Sequence, residues 1–277
     1  ALLSEYHAAD KNISIKVVDY VRDAGEAEKI KERYKLDSPL AKNLIIFDCG
    51  GRVKIANGDA LTQTELEAVP NFKKPAERDF RRKPVAFRGE MMFTSMLLAV
   101  TNPKPFKAYF LQGDGEPSLT DSGEQGYMKF AAILQENYID VQPLQLLGDK
   151  TIPDDCNLLI IAGPTASFSD NELKKISQYL SQGGRLFVLF NYFSVHQPTG
   201  LEPVLARWGV DVGSDVVQDL KNTTSENGED VIVYDFSQHP VVNPLTQLAL
   251  QLILPRPISA AKLKNSSDDA PQVNELA

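Results

Sequence analysis

Two short apolar runs without a single charge constrain the fold of this chain more than any other feature. They are Leu158–Ala162 and residues 186–190. Strands covered by helices on both faces are continuous apolar runs of this length. Between the two runs, Ser169 followed three positions later by Glu172 is typical of a helix start, and the glycine pair 183–184 of a helix end. This β–α–β order predicts a parallel sheet with helices on both faces.

The first 70 residues predict a second, smaller domain. Residues 13–20 alternate as a half-buried strand does, Ala24–Tyr34 favours a helix, residues 43–56 form a hairpin, and residues 62–68 a short helix. This order suits a small thioredoxin-like layer. The junction of its first strand and helix, residues 19–23, has no Cys-x-x-Cys motif, so we expect no redox activity.

Prolines and charges are concentrated at residues 71–85, which we interpret as a linker. The predicted order is therefore a thioredoxin-like domain at 1–70, the linker at 71–85, an α/β domain at 86–260 and a polar tail at 261–277. A methionine-rich helix at about 89–100 is expected in a core rather than at a metal. The basic side chains around the linker indicate either a solvated segment or a contact with anionic lipid headgroups; they are Lys73, Lys74, Arg78, Arg81, Arg82 and Lys83.

Composition excludes some partners and leaves others open. The chain has 29 basic and 37 acidic residues and a net charge of −8, which argues against nucleic acid. No apolar run is long enough to cross a bilayer. The chain opens at Ala1 in a helical pattern without an initiator Met, so we expect a fragment whose anchors were left out. Cys49 and Cys156 are either buried apolar groups or a disulfide.

Ligands of open α/β sheets bind beyond the carboxyl ends of the strands. Turn-forming residues follow two of the predicted strands. Each of these two segments is interpreted either as a candidate site for a ligand or partner, or as a polar turn without a binding role. In the first, two carboxylates could bind a cation or a sugar hydroxyl. The first site comprises Gly113, Asp114, Gly115 and Glu116, and the second comprises Gly163, Pro164 and Thr165.

Several enzyme classes lack their motif in this sequence. There is no phosphate loop, no Gly-x-Gly-x-x-Gly and no Gly-x-Ser-x-Gly. Neither cysteine directly follows a predicted buried strand of the parallel sheet, and the three histidines have no metal-ligand spacing. His239, which precedes Pro240, is interpreted as a structural residue. We therefore expect no catalytic residue, no metal and no cofactor.

A series of short motifs resembles the auxiliary component of ABC-type transport systems described as involved in gliding motility. The likeness covers most of residues 1–260. One position departs from it: the family's Gly-His-Gly-Glu turn has Asp114 in place of the histidine, so a role of that histidine is not expected here. The motifs are residues 87–90, 94–95, 108–111, 113–116, 158–164, 183–186 and 239–240.

The resemblance implies a location and partners. The chain would be a non-catalytic extracytoplasmic domain at the periplasmic face of the membrane, anchored by helices outside this sequence, beside ABC permease and ATPase subunits. Its larger domain would be flavodoxin-like, similar to class I glutamine amidotransferases, but without their cysteine nucleophile.

Two other functions stay open from the residues alone. A carbohydrate-active hydrolase could use Asp114 and Glu116 as its paired carboxyl groups. A soluble binding protein for a small molecule or sugar would need only the two strand-end loops. Fold analogy by itself does not decide among the three.

Overall fold

A computed structural model describes residues 2–36, 43–70, 78–261 and 271–277. The chain divides into two compact units, Ala1–Pro105 and Phe106–Ala277, and each is described by itself. Within the described ranges no helix is both long and apolar enough to cross a membrane.

In the first unit, a helix packs on a β-hairpin. The rings of Phe47 and Phe93 lie 5.5 Å apart, and Met96 and Val100 are buried beside them. The prediction that the methionine-rich helix lies in a core is confirmed for Met96, whereas Met92 is partly buried and Met91 is exposed. The Arg52 side chain donates a 2.6 Å hydrogen bond to the Val100 carbonyl. The elements of this unit are α1 (Leu2–Ala9), α2 (Ala24–Tyr34), β1 (Leu44–Cys49), β2 (Arg52–Asn57), β3 (Thr62–Pro70), β4 (Arg78–Phe87) and α3 (Gly89–Thr101).

Two elements predicted for the first unit are wrong. Residues 13–20 form no strand, because no neighbouring strand pairs with them. Residues 62–68, predicted as a helix, belong to strand β3, which pairs antiparallel with β4. Opposite charges face each other across this pair, Glu65 against Lys83 and Glu67 against Arg81, and such cross-strand pairs override the helical preference of Glu, Leu and Ala. The thioredoxin-like assignment of residues 1–70 stays a prediction.

The expected linker at 71–85 is partly structured. Residues 78–85 belong to strand β4, and residues 71–77 lie outside the described part of the chain, together with Lys73 and Lys74. In the sequence, the boundary between the two compact units falls between Pro105 and Phe106. Of the expected tail, residues 262–270 also lie outside the described ranges. Residues 271–277 form neither a helix nor a strand, and the Leu276 carbonyl accepts a 3.0 Å hydrogen bond from the Ser237 amide.

The second unit is a mixed α/β domain built on a four-stranded parallel sheet, consistent with a flavodoxin-like fold. The strand order is β6-β5-β7-β8, and every neighbouring pair is parallel. The elements are β5 (Phe106–Leu111), α4 (Met128–Glu136), β6 (Ile139–Leu144), β7 (Leu158–Ala162), α5 (Asp170–Ser181), β8 (Leu186–Leu189), α6 (Glu202–Ala206), β9 (Val210–Val212), β10 (Asp230–Val233), β11 (Leu250–Ile253) and β12 (Ile258–Ala260).

Strand β7 is buried on both faces, as its uncharged sequence predicts. Leu159 and Ile161 pack into one apolar cluster with Ile176 of α5. Ile160 packs into the cluster on the other face with Ala131 of α4. The predicted helix start before α5 is also confirmed, because the Ser169 hydroxyl and the Glu172 carboxylate form a reciprocal capping box.

The chain after α6 folds into two small antiparallel ribbons. Strand β10 pairs with β11, and β9 pairs with β12. No described strand pairs with residues 215–219. The Asp219 side chain accepts hydrogen bonds from the amides of Lys221 and Asn222 and closes a turn.

Arg256 connects the second ribbon to the parallel-sheet region. Its side chain is 5% exposed and pairs with the Glu202 carboxylate at 3.0 Å. The guanidinium also donates to the Gly213 carbonyl and the Ser194 hydroxyl and lies 4.9 Å from the centre of the Phe190 ring. A buried cation with this many acceptors holds three segments in one arrangement.

Replacing Arg256 by Met should destabilise the second unit by about 3 kcal/mol, because Glu202 is left as a partly buried carboxylate without its cation. Urea unfolding, followed through the emission of Trp208, the chain's single tryptophan, measures the loss. Arg256→Met combined with Glu202→Gln should be less unstable than Arg256→Met alone. Equal stability of the two variants would contradict the pairing.

The same pair predicts a dependence on pH. Burial by itself raises the pKa of the Glu202 carboxyl, but hydrogen bonds from backbone amides and from Arg256 outweigh burial and leave the pKa below its ordinary value of 4.5. A lowered folded-state pKa contributes stability above the unfolded-state pKa and loses it as the pH falls through the folded value. The stability difference between wild type and Glu202→Gln should therefore shrink as the pH falls below about 4.5.

Candidate functional site

The structure brings the two predicted strand-end loops together. Residues 113–116 follow β5 and residues 163–166 follow β7, and these strands are parallel neighbours in the sheet. Parallel neighbours present their carboxyl ends at the same edge, which is where ligands of open α/β sheets bind. All seven predicted site residues therefore lie at one edge of the sheet, namely the edge formed by the carboxyl ends of its strands.

Hydrogen bonds join the loops directly. The Asp114 carbonyl accepts from the amides of Thr165 and Ala166 at 3.0 and 2.9 Å. The Thr165 hydroxyl donates to the Gly115 carbonyl at 3.3 Å. Three bonds between two short loops fix their relative position.

Glu116 is partly committed to the shape of its own loop. One carboxylate oxygen accepts from the amides of Gly113 and Asp114 at 3.0 and 2.8 Å. Gly115 has a φ of +84°, a conformation that side chains disfavour, and a Cβ there would lie 1.9 Å from the Thr165 hydroxyl oxygen. The turn therefore needs both the glycine and the glutamate.

Two carboxylate oxygens at this edge are buried without a hydrogen-bond partner. They are Oδ2 of Asp114 and Oε1 of Glu116. Burial, followed by repulsion from the carboxylate of Glu172, raises the pKa of Asp114 to about 6. Burial also raises the pKa of Glu116, although amide hydrogen bonds partly oppose it. Buried acceptors without donors favour a ligand or partner that donates hydrogen bonds.

The residues of the second loop differ in their accessibility. Gly163 and Pro164 are buried, and Pro164 is among the most deeply buried side chains of the chain. They shape the turn, and only Thr165 is exposed. Of the three predicted binding residues in this loop, only Thr165 is accessible for direct contact with a ligand or partner.

Two side chains near Gly163 are not among the residues predicted from the sequence. A Cβ at Gly163 would lie 3.4 Å from the Tyr127 hydroxyl and 3.7 Å from the Asn191 amide nitrogen. Asn191 comes two residues after β8 and caps the following turn through a hydrogen bond from the Phe193 amide. The strand-end rule that selected residues 113–116 and 163–165 would also have found Asn191. No sequence signal indicates Tyr127, because it lies at the start of α4.

The other chemistry-bearing residues are not at this edge. Both cysteines are free thiols, and Cys156 precedes β7, at the opposite end of that strand from the loops. Burial raises the pKa of the Cys156 thiol, which disfavours the reactive thiolate. Among the residues that the structure describes, no group of three or more potential metal ligands occurs. His239 accepts a 3.3 Å hydrogen bond from the Val241 amide.

Replacing Gly115 by Ala should cost more stability than replacing Gly183 by Ala. Gly183 has nearly the same φ, +85°, but nothing lies within 4 Å of its added Cβ. It therefore reports the backbone strain alone, about 1 kcal/mol. Urea unfolding measures both losses. The difference should shrink when Thr165 is also replaced by Ala, and an unchanged difference would contradict the close approach of the loops.

The raised pKa of Asp114 predicts a stability that falls with rising pH. A carboxyl whose folded-state pKa of about 6 exceeds its ordinary 3.8 binds its proton more tightly when folded. Stability should therefore decrease between about pH 4 and 6 and stay reduced above that range. Asp114→Asn should remove this decrease and raise the melting temperature at pH 7 but not at pH 4. Asp154→Asn, at an exposed position, is the control; the same effect in both variants would contradict the assignment.

Comparison with known proteins connects the second unit to transport. The mmIFT52 N-terminal domain is similar in structure, with a TM-score of 0.45 and 20% sequence identity over 56% of this chain and 68% of that chain. No curated protein matches the chain. The model of an auxiliary family described as "ABC-type uncharacterized transport system" matches residues 106–253. Since these residues make up more than half of the chain, the chain belongs to that family of auxiliary ABC-type transport components.

Proposed function

We propose that this chain is a non-catalytic accessory domain of an ABC-type transport system, of the kind associated with gliding motility. In this proposal it lies on the extracytoplasmic side of the membrane, beside the permease and ATPase subunits. The sheet edge formed by residues 113–116 and 163–166 binds a hydrogen-bond-donating ligand or a donor group of a partner subunit. No cofactor takes part.

The family match supports the accessory role. The matched residues begin at Phe106, the first residue of the second unit, and include the whole parallel sheet with both strand-end loops. The extracytoplasmic location and the link to motility are supported by the resemblance of the sequence motifs.

The single observation that carries the binding role is the pair of buried oxygens without partners, Oδ2 of Asp114 and Oε1 of Glu116. Leaving such acceptors without donors costs free energy, about 1–3 kcal/mol for each group. The loops are nevertheless fixed around them by the bonds from Thr165 and Ala166. A rigid loop with unfilled acceptors suits binding at a prepared site.

The hydrolase alternative has less support. Glycoside hydrolases place two carboxyl groups on opposite sides of the scissile bond, usually from separate elements. Asp114 and Glu116 belong to one turn, and one oxygen of Glu116 is held by the amides of that same turn. A raised pKa alone is compatible with either role, because structural carboxyl groups are perturbed as well.

Purification of the full-length protein from native membranes, followed by mass spectrometry, tests the proposal. We expect an ABC permease and ATPase to be recovered in amounts comparable with the protein itself. Asp114→Asn combined with Glu116→Gln should reduce this recovery at least tenfold if the edge binds a subunit, because the variants replace the two acceptors. Asp154→Asn, before β7 at the opposite end of the sheet, is the matched control.

Other results separate the parts of the proposal. Unchanged recovery with the double variant would assign the edge to a small ligand, whose binding should then raise the melting temperature of the wild type but not of the variant. Recovery of the protein alone would refute the accessory role. Resistance of the domain to protease added outside spheroplasts would refute the extracytoplasmic location.

A further inference from the structure

An apolar groove lies between β8 and the β9–β12 ribbon, and none of its lining residues belongs to the loops at residues 113–116 and 163–166. Its volume is about 320 Å³. Leu186, Val188 and Phe190 line one side of the groove, and Val210 and Val212 line the other, so side chains of both strands face a common space.

The backbone of β8 has unused hydrogen-bonding groups. The Arg185 carbonyl accepts a 2.9 Å hydrogen bond from the Leu159 amide of β7, and the Leu189 carbonyl accepts a 2.8 Å bond from the amide of Gly163, directly after β7. In a parallel ladder alternate residues bond to the same neighbour, so the amide and carbonyl groups of Leu186 and Val188 point away from β7. Within the described part of the chain no strand pairs with that edge.

The backbone of β9 has the same property. The Gly213 amide bonds to the Pro257 carbonyl, and the Ala261 amide bonds to the Gly209 carbonyl. In an antiparallel ladder this pattern turns the groups of Val210 and Val212 away from β12. Val212 is nevertheless 8% exposed. Its backbone groups are therefore partly withdrawn from water without a strand to pair with.

The two outermost strands of the parallel sheet also differ in how well they are protected against pairing with a further strand. Strand β6, at one edge, contains Asp140 and Pro143, a charge and a proline of the kind that prevent unwanted strand pairing. Strand β8, at the other edge, has the sequence Leu-Phe-Val-Leu without a charge or a proline. The sequence thus blocks pairing at β6 and permits it at β8.

We propose that the groove accepts an extended, uncharged segment of a partner protein, which pairs as a β-strand with β8 and β9. Apolar side chains at alternate positions of the segment would enter the groove, and its amides and carbonyls would bond to Leu186 and Val188 on one side and to Val210 and Val212 on the other. A small apolar molecule would fill the groove but leave these backbone groups unpaired.

A folded second copy of the chain is a poorer occupant. A strand inserted between two edges must have both of its own edges free. Every described strand of this chain already pairs along at least one edge with another strand. The inserted segment must therefore be unpaired before it binds, as an extended loop or terminus of a partner is.

Trp208 provides the measurement, because the single tryptophan lines the groove and is 41% exposed. The probe is an acetylated and amidated seven-residue peptide in which threonine and valine alternate between two terminal lysines. Titration of the full chain should shift the Trp208 emission saturably. The same peptide with N-methylated valine amides keeps its side chains but loses donors, and it should bind at least tenfold more weakly.

Hydrogen exchange locates the pairing without any substitution. The peptide should slow exchange of the amides of Leu186, Val188, Val210 and Val212. The amide of Phe187, which faces β7, should not change. Val188→Lys, which places a charge in the groove, should abolish the emission shift, and Phe187→Lys, on the opposite face of the same strand, should not.

Four results would overturn the proposal. The first is the absence of a saturable emission shift at millimolar peptide, and the second is equal binding of the N-methylated peptide, which would indicate burial of apolar groups alone. The third is slow exchange of the Val188 and Val210 amides in the free protein, which would indicate that β8 and β9 pair directly, and the fourth is a Trp208 emission that depends on protein concentration without peptide, which would indicate a second copy. None of these measurements depends on the permease or on the loops at residues 113–116.

Discussion

The burial of strand β7 on both faces is the constraint on which the second unit depends. Leu159, Ile160 and Ile161 are fully withdrawn from solvent, so an apolar layer is needed above and below the sheet. Helix α5 supplies one layer and helix α4 the other. Since each helix returns the chain to the same end of the sheet, the strands run parallel and their carboxyl ends meet at one edge. The position of the candidate site follows from this arrangement.

At that edge, the hydrogen bonds between the loops leave the Asp114 carboxyl near Glu172 and partly out of water. The arrangement disfavours the ionised form of Asp114, and the fold tolerates it because the Asp114 backbone is bonded to the second loop. Local features that cost free energy tend to occur at functional sites, where a ligand removes the cost. The combination of a rigid backbone and unpartnered oxygens distinguishes this edge from an ordinary polar turn.

Arg256 fixes the relative position of segments elsewhere in the second unit, as the hydrogen bonds between the two loops do at the candidate site. Its buried guanidinium holds the segments around Gly213, Ser194 and Glu202 together, and so determines where the β9–β12 ribbon lies. Among the described strands, neither β9 nor β12 pairs with β8, so the outer edge of β8 stays unpaired. The unit thus has a polar surface at the carboxyl ends of the sheet strands and an apolar groove beside β8.

The sequence alone determined the parallel α/β character of the second unit, because uncharged runs and a capping box are local signals that tertiary contacts rarely reverse. It also identified the loops at residues 113–116 and 163–165, since strand ends and glycines can be read without a partner. Only the tertiary structure decided that β3 is a strand and that residues 13–20 are not, because pairing depends on distant residues such as Lys83. The tertiary structure likewise decided that Pro164 is buried, that Tyr127 and Asn191 approach Gly163, and that Asp114 lies near Glu172. Burial and charge repulsion arise between segments far apart in the chain, and no local pattern contains that information.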